Sequence, residues 1–163
     1  MSARPQHDAN MHLIAQYNGR SFYSDHLAMP FHLQPPFADV FFPCLIWDHT
    51  GEMPVAAKSG VARTLLKAGC RYAVCGGMEC EAWHDIFDEV HIAHTLGLPT
   101  DEADRDLVMT TWHTAESPDD VAFFFVLNTN FGPHDFERFL VLHVGTGRQQ
   151  QDVEQAVRRY ALG

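Results

Sequence analysis

No stretch of this chain is long and apolar enough to cross a bilayer. The longest purely apolar run, Val121 to Leu127, falls far short of the roughly 20 residues a membrane helix needs. Basic residues are scarce as well. Eleven Lys and Arg stand against 21 Asp and Glu, a formal net charge of −10, which repels a phosphate backbone or an anionic membrane surface at long range. Neither nucleic acid nor a membrane is therefore an expected partner. The four cysteines, Cys44, Cys70, Cys75 and Cys80, form no C-x-x-C pair. The first ten residues lack the basic-then-apolar layout of a signal peptide. Together these features predict free thiols and a cytoplasmic location.

Two phosphate-binding fingerprints are missing too. The first strand-to-helix turn reads Asp48-His49-Thr50-Gly51-Glu52, so the G-x-G-x-x-G of a dinucleotide site is absent there. No Gly-Lys-Ser or Gly-Lys-Thr occurs to make a Walker A loop. The sequence thus assigns no cofactor.

What is present is the composition of a packed domain. Apolar residues make up 46% of the 163 and charged residues 20%, ordinary values for a globular chain. A domain of this length buries about two thirds of its unfolded surface. The whole chain, 1–163, reads as one α/β domain in three parts. Residues 1–10 are polar and predicted to fray, 11–40 form a hairpin and a covering segment, and 41–163 carry βα repeats. In the second part, Asn18-Gly19 separates His12–Tyr17 from Arg20–Ser24, and both turn residues accept the positive φ of a type I′ hairpin. Pro30, Pro35, Pro36 and Pro43 then interrupt a Phe-rich stretch that cannot hold a regular helix.

From Phe41 onward, short apolar runs without alternation are each followed by a turn and a helically spaced segment. Strands are predicted at Cys44–Trp47, Arg71–Cys75, Leu107–Trp112 and Phe139–Val144. Helices are predicted at Val55–Ala68, from Glu79 toward Gly97, and at Gln151–Leu162. The segment Val121–Leu127 is aromatic and β-branched enough for a strand. Ser117-Pro118-Asp119-Asp120 before it supplies a cap, a first-turn proline and acidic residues, and these favour helix. Strands alternating with helices imply a mostly parallel sheet of about four central strands, covered by helices on both faces, with the hairpin at an edge. The architecture resembles Rossmann-like or flavodoxin-like folds.

In such sheets ligands bind beyond the carboxyl ends of the strands. The four predicted exits carry Asp48-His49, Cys75-Gly76-Gly77 with Glu79 and Cys80, His113-Thr114, and Gly145-Thr146-Gly147. A thiol reading makes Cys75 the nucleophile, on a glycine-permitted turn, with His113 as base and Asp48 as its orienter. An inert half-buried cysteine is the commoner outcome. A binding reading gives His49, Gly76, Gly77, Glu79, Thr146 and Gly147 to a small-molecule ligand. In it, Gly145-Thr146-Gly147-Arg148 could present N–H groups to an anion or be a plain turn. Cys80, His84, Asp88 and His91 share one helical stripe, but a polar border beside an apolar face looks the same, so no metal site is assigned. The sequence therefore favours a ligand-binding or accessory domain working at the carboxyl edge. A thiol or acid-base hydrolase at that edge comes next. Third is an interaction module presenting Phe31–Phe42 or Phe123–Phe125 to a partner chain.

Overall fold

The computed structural model describes residues 11–163; segment 1–10, with its expected fraying, lies outside the described residues. Among the described residues the fold is mixed α/β: six strands in one mostly parallel sheet, and five helices. In chain order the elements are β1 (His12–Tyr17), β2 (Arg20–Leu27), β3 (Phe42–Asp48), α1 (Val55–Ala68), β4 (Cys70–Gly77), α2 (Cys80–Thr95), α3 (Thr100–Arg105), β5 (Met109–Trp112), α4 (Pro118–Leu127), β6 (Arg138–Val144) and α5 (Gln150–Ala161).

The sheet order is β1-β2-β6-β3-β4-β5; the β1–β2 pair is antiparallel and the other four pairs are parallel. Asn18 and Gly19 take φ of 51° and 78° at the hairpin turn, the left-handed values that the Asn-Gly pair accepts. The hairpin is more than an edge. β2 runs on to Leu27 and pairs with β6 in parallel register from Ser21↔Arg138 to Leu27↔Val144. This makes β2 a fifth parallel strand.

Side chains alternate between two cores, as a strand's period of two requires. Cys44 and Ile46 of β3 and Leu140, Leu142 and Val144 of β6 pack under α1 and α2. Leu45, Trp47, Phe139 and Val141 point the other way, under α4 and α5. The covering segment adds Leu33 and Phe37 to the α1/α2 side. α4 starts at Pro118, and its cap Ser117 accepts a hydrogen bond from the Asp120 N–H at 3.1 Å. That satisfies one of the amide donors a helix start leaves unpaired, so Val121–Leu127 folds as helix. α3 carries no apolar stripe in the sequence, which is why spacing did not predict it.

This winding decides where a crevice can open. The chain leaves β3 and β4 toward one face (α1, α2) and leaves β5 and β6 toward the other (α4, α5). β3 and β6 are neighbours, so their exit loops part in opposite directions. A topological switch point of this kind is where ligands bind in parallel sheets. A second such point lies between β4 and β5.

Candidate functional site

The β3 exit is tied down by its own aspartate. Asp48 is fully buried. One carboxylate oxygen accepts from the Thr50 and Gly51 N–H groups at 3.1 and 2.8 Å, and the other accepts from Trp83 Nε1 at 2.8 Å. These three bonds shape the loop and anchor α2. The result is a fixed platform for the next residue, His49.

His49 is half-buried and faces the β6 side of the switch point. Its Nε2 lies 2.9 Å from Nδ1 of His143, a fully buried residue of β6. On the far side of that ring, His143 Nε2 is 3.2 Å from a carboxylate oxygen of Glu154 on α5. Ser24 of β2 donates its hydroxyl to the same oxygen at 2.5 Å, and His12 Nε2 approaches the other oxygen at 3.5 Å. Three parallel strands and one helix thus deliver a carboxylate–imidazole–imidazole row.

The protons in this row follow from valence. An ionised Glu154 only accepts, so His143 donates through Nε2. In a neutral His143, Nδ1 is then the acceptor for the Nε2–H of His49. The bare nitrogen of His49 is left as Nδ1. Burial raises the Glu154 carboxyl, but hydrogen bonds from His143 and Ser24, and the charges that His143 and His12 carry once acid has protonated them, outweigh it, bringing it down to about 2. His49 is held down to about 4, chiefly by burial and then by the nearby His143 and His26. The outer ring is therefore neutral at physiological pH. A proton taken at His49 Nδ1 can be matched by passage of the Nε2 proton to His143, which leaves the charge beside Glu154 and not at the surface.

The loop after β6 completes the arrangement. Gly145 has φ of 72° and sits against the Thr50 side chain, where a Cβ would meet atoms at 3.0 Å. A Cβ on Gly147 would lie 2.6 Å from His49 Nδ1. Gly147 therefore packs directly against the His49 ring, where only glycine fits. Next to this loop, His26 Nε2 meets the Gly145 carbonyl at 2.6 Å. A polar groove of about 440 Å³ opens at the β2 exit, lined by His12, Ser24, Asp25, His26, His32 and Gln150 among others.

The residues singled out in the sequence divide between the two switch points. Asp48, His49, Thr146 and Gly147 gather around β3 and β6, and Thr146 is exposed on the loop. Gly77 lies across from Asp48 in register, and a Cβ there would strike the Asp48 carbonyl oxygen. A Cβ on Gly76 would lie 2.8 Å from the Trp47 ring. Both glycines therefore have a packing reason to be glycine. Glu79, at φ 55°, folds its side chain over Gly51. Cys75 and His113 are not brought together as nucleophile and base. The Cys75 side chain is fully buried in the α1/α2 core, and burial pushes its thiol well up. The His113 ring packs 4.8 Å from Phe124 of α4 on the opposite face, with Glu116 at 2.7 Å and Thr111 at 3.1 Å on its two nitrogens.

On α2, Cys80 meets the Thr114 hydroxyl at 3.7 Å and His84 pairs with Asp85 and Asp88. Among the described residues, no group of three or more His, Cys, Asp or Glu side chains is placed to hold a metal ion. His143 and Glu154 escaped the sequence reading because one lies inside an apolar strand and the other on the polar side of a helix. The available signal was a histidine at a core-facing position of β6, alternating with Phe139 and Val141.

Comparison with known proteins adds a family. Residues 22–160 match the model of a family described as a domain of unknown function, DUF7684. That span runs from within β2 to the last turn of α5 and so contains His26, His49, His143 and Glu154. No curated protein and no solved structure matches the chain.

Proposed function

We propose that this chain, which belongs to the DUF7684 family, binds a small polar molecule at the carboxyl edge where β2, β6 and β3 end. On this reading the wound sheet is Rossmann-like or flavodoxin-like, and the protein works in the cytoplasm, in keeping with its four free cysteines. The observation that carries the reading is the row Glu154–His143–His49, with spacings of 3.2 and 2.9 Å, which ends on a half-buried imidazole at a topological switch point. Buried polar groups are costly unless paired. A buried histidine linked to an ionised carboxylate and to a second, accessible histidine is suited to exchange protons with something outside. The ligand class that fits carries a hydrogen-bond donor or an acidic proton for His49 Nδ1, with polar groups for the adjoining groove.

The same row supports a second reading, an acid-base hydrolase. His49 would take a proton from water as the water oxygen bonds to an acyl carbon, and would return that proton to the leaving group. The thiol version of a hydrolase has no such support, since Cys75 is sealed in the core.

A panel of small carboxylic acids, amides and polyols, titrated onto the ¹⁵N-labelled protein, tests the site. Amide signals that move should cluster at His26, His49 and Gly145–Gly147. Movement confined to Cys75–Gly77 and His113, or none with any member of the panel, overturns the assignment.

A further inference from the structure

The opposite end of the sheet carries a second cavity that the carboxyl-edge row does not use. Helices following parallel strands run back antiparallel to them, so the C-terminal ends of α1 and α2 lie near the amino ends of β4 and β5. Between them is a groove of about 420 Å³, within the range of small-molecule sites. Leu66, Val90 and Val108 help to give it a largely apolar wall, and Arg63, Lys67 and Arg71 supply three cationic groups.

Charge selects the occupant. The whole chain holds 11 Lys and Arg against 21 Asp and Glu. Around this groove the balance reverses: among the described residues of its wall, Glu89 and Asp106 are the carboxylates. Asp106 is already engaged by Arg71 at 3.4 Å. Arg71 is held in place by the Leu66 and Cys70 carbonyls at 3.2 and 3.0 Å, so the charges left facing solvent are those of the exposed Arg63 and Lys67, against the exposed Glu89. His91, on the same wall, is lowered first by burial and then by the charges of Arg71 and His94, against the opposing charges of Asp106 and Asp88.

We infer that this amino-edge groove binds a small amphipathic carboxylate, its apolar body against Leu66, Val90 and Val108 and its anionic head on Arg63 and Lys67. A purely polar anion would leave the apolar wall unfilled, and an uncharged apolar molecule would leave the two cations unused. An amphipathic cation would meet like charge.

Octanoate is the probe, with octanol and octylamine as uncharged and cationic counterparts, each titrated below its micelle-forming range onto the ¹⁵N-labelled full chain. Octanoate binding should saturate, with amide shifts centred on Leu66, Val90, Ala93 and Val108. It should be the tightest of the three. The double variant R63A/K67A, altered at exposed positions only, should weaken octanoate roughly tenfold, the order of a lost charge-assisted contact, and leave octanol unchanged. Equal affinity for octanoate and octanol, an unchanged octanoate affinity in the double variant, or shifts centred elsewhere would each overturn the inference. The carboxyl-edge residues lie at the other end of the strands, so their signals report separately on the first site.

Discussion

Single residues at the carboxyl edge owe their identity to close approach more than to propensity. Gly147 is the clearest instance, because a side chain there would strike the His49 ring. Gly147→Ala should push the imidazole aside and break the 2.9 Å contact with His143, seen as a change in both ring signals while the protein stays folded. Gly77 is a structural counterpart: at φ 75° and against the Asp48 carbonyl, Gly77→Ala should lower stability by about 1–3 kcal/mol or more in urea unfolding. The thiols behave as packing groups. Burial raises Cys75 far up and Cys70 to about 12, so iodoacetamide at neutral pH should leave both unmodified in the native protein and alkylate all four cysteines after denaturation. Rapid native labelling of Cys75 would contradict its placement. Sequence alone could rank Asp48 and His49 as exit residues. It could not show that Asp48 spends its oxygens on the loop and on Trp83, because that pairing joins positions 35 residues apart.

At the scale of elements, the legible features were those written locally. The Asn18-Gly19 turn, the helical spacing of α1 and the Ser117 cap each lie within a few residues of the structure they specify. The cap offers a direct check: Ser117→Ala should cost about 1 kcal/mol in denaturant unfolding and leave the His49 signals in place. The features that sequence did not reveal depend on distant partners. β2 reads as half of a hairpin, yet its second edge pairs with β6, more than a hundred residues later. That insertion of β6 between β2 and β3 is what brings Ser24, His143 and His49 side by side. Strand order is set by the packing of whole layers, which no local spacing encodes.

For the molecule as a whole, the carboxyl-edge row should make stability depend on acid in a defined way. An imidazole held at about 4 instead of 6.5 binds fewer protons folded than unfolded between those values, so stability falls as pH drops through that window. Glu154, at about 2 instead of 4.5, adds stability that is fully present above 4.5 and is lost as pH falls toward 2. Urea midpoints should therefore decline from pH 6.5 to 4, and His49→Gln should flatten that part of the curve. Among the described residues, no helix is long and apolar enough to cross a membrane. The most direct measurement of the central claim is a long-range ¹H–¹⁵N spectrum of the histidine rings at neutral pH. The proton row predicts Nε2–H on both His49 and His143, a bare Nδ1 on His49, and a coupling across the hydrogen bond between the two rings. A protonated His49 Nδ1, or two rings with no coupling that titrate independently, would contradict it.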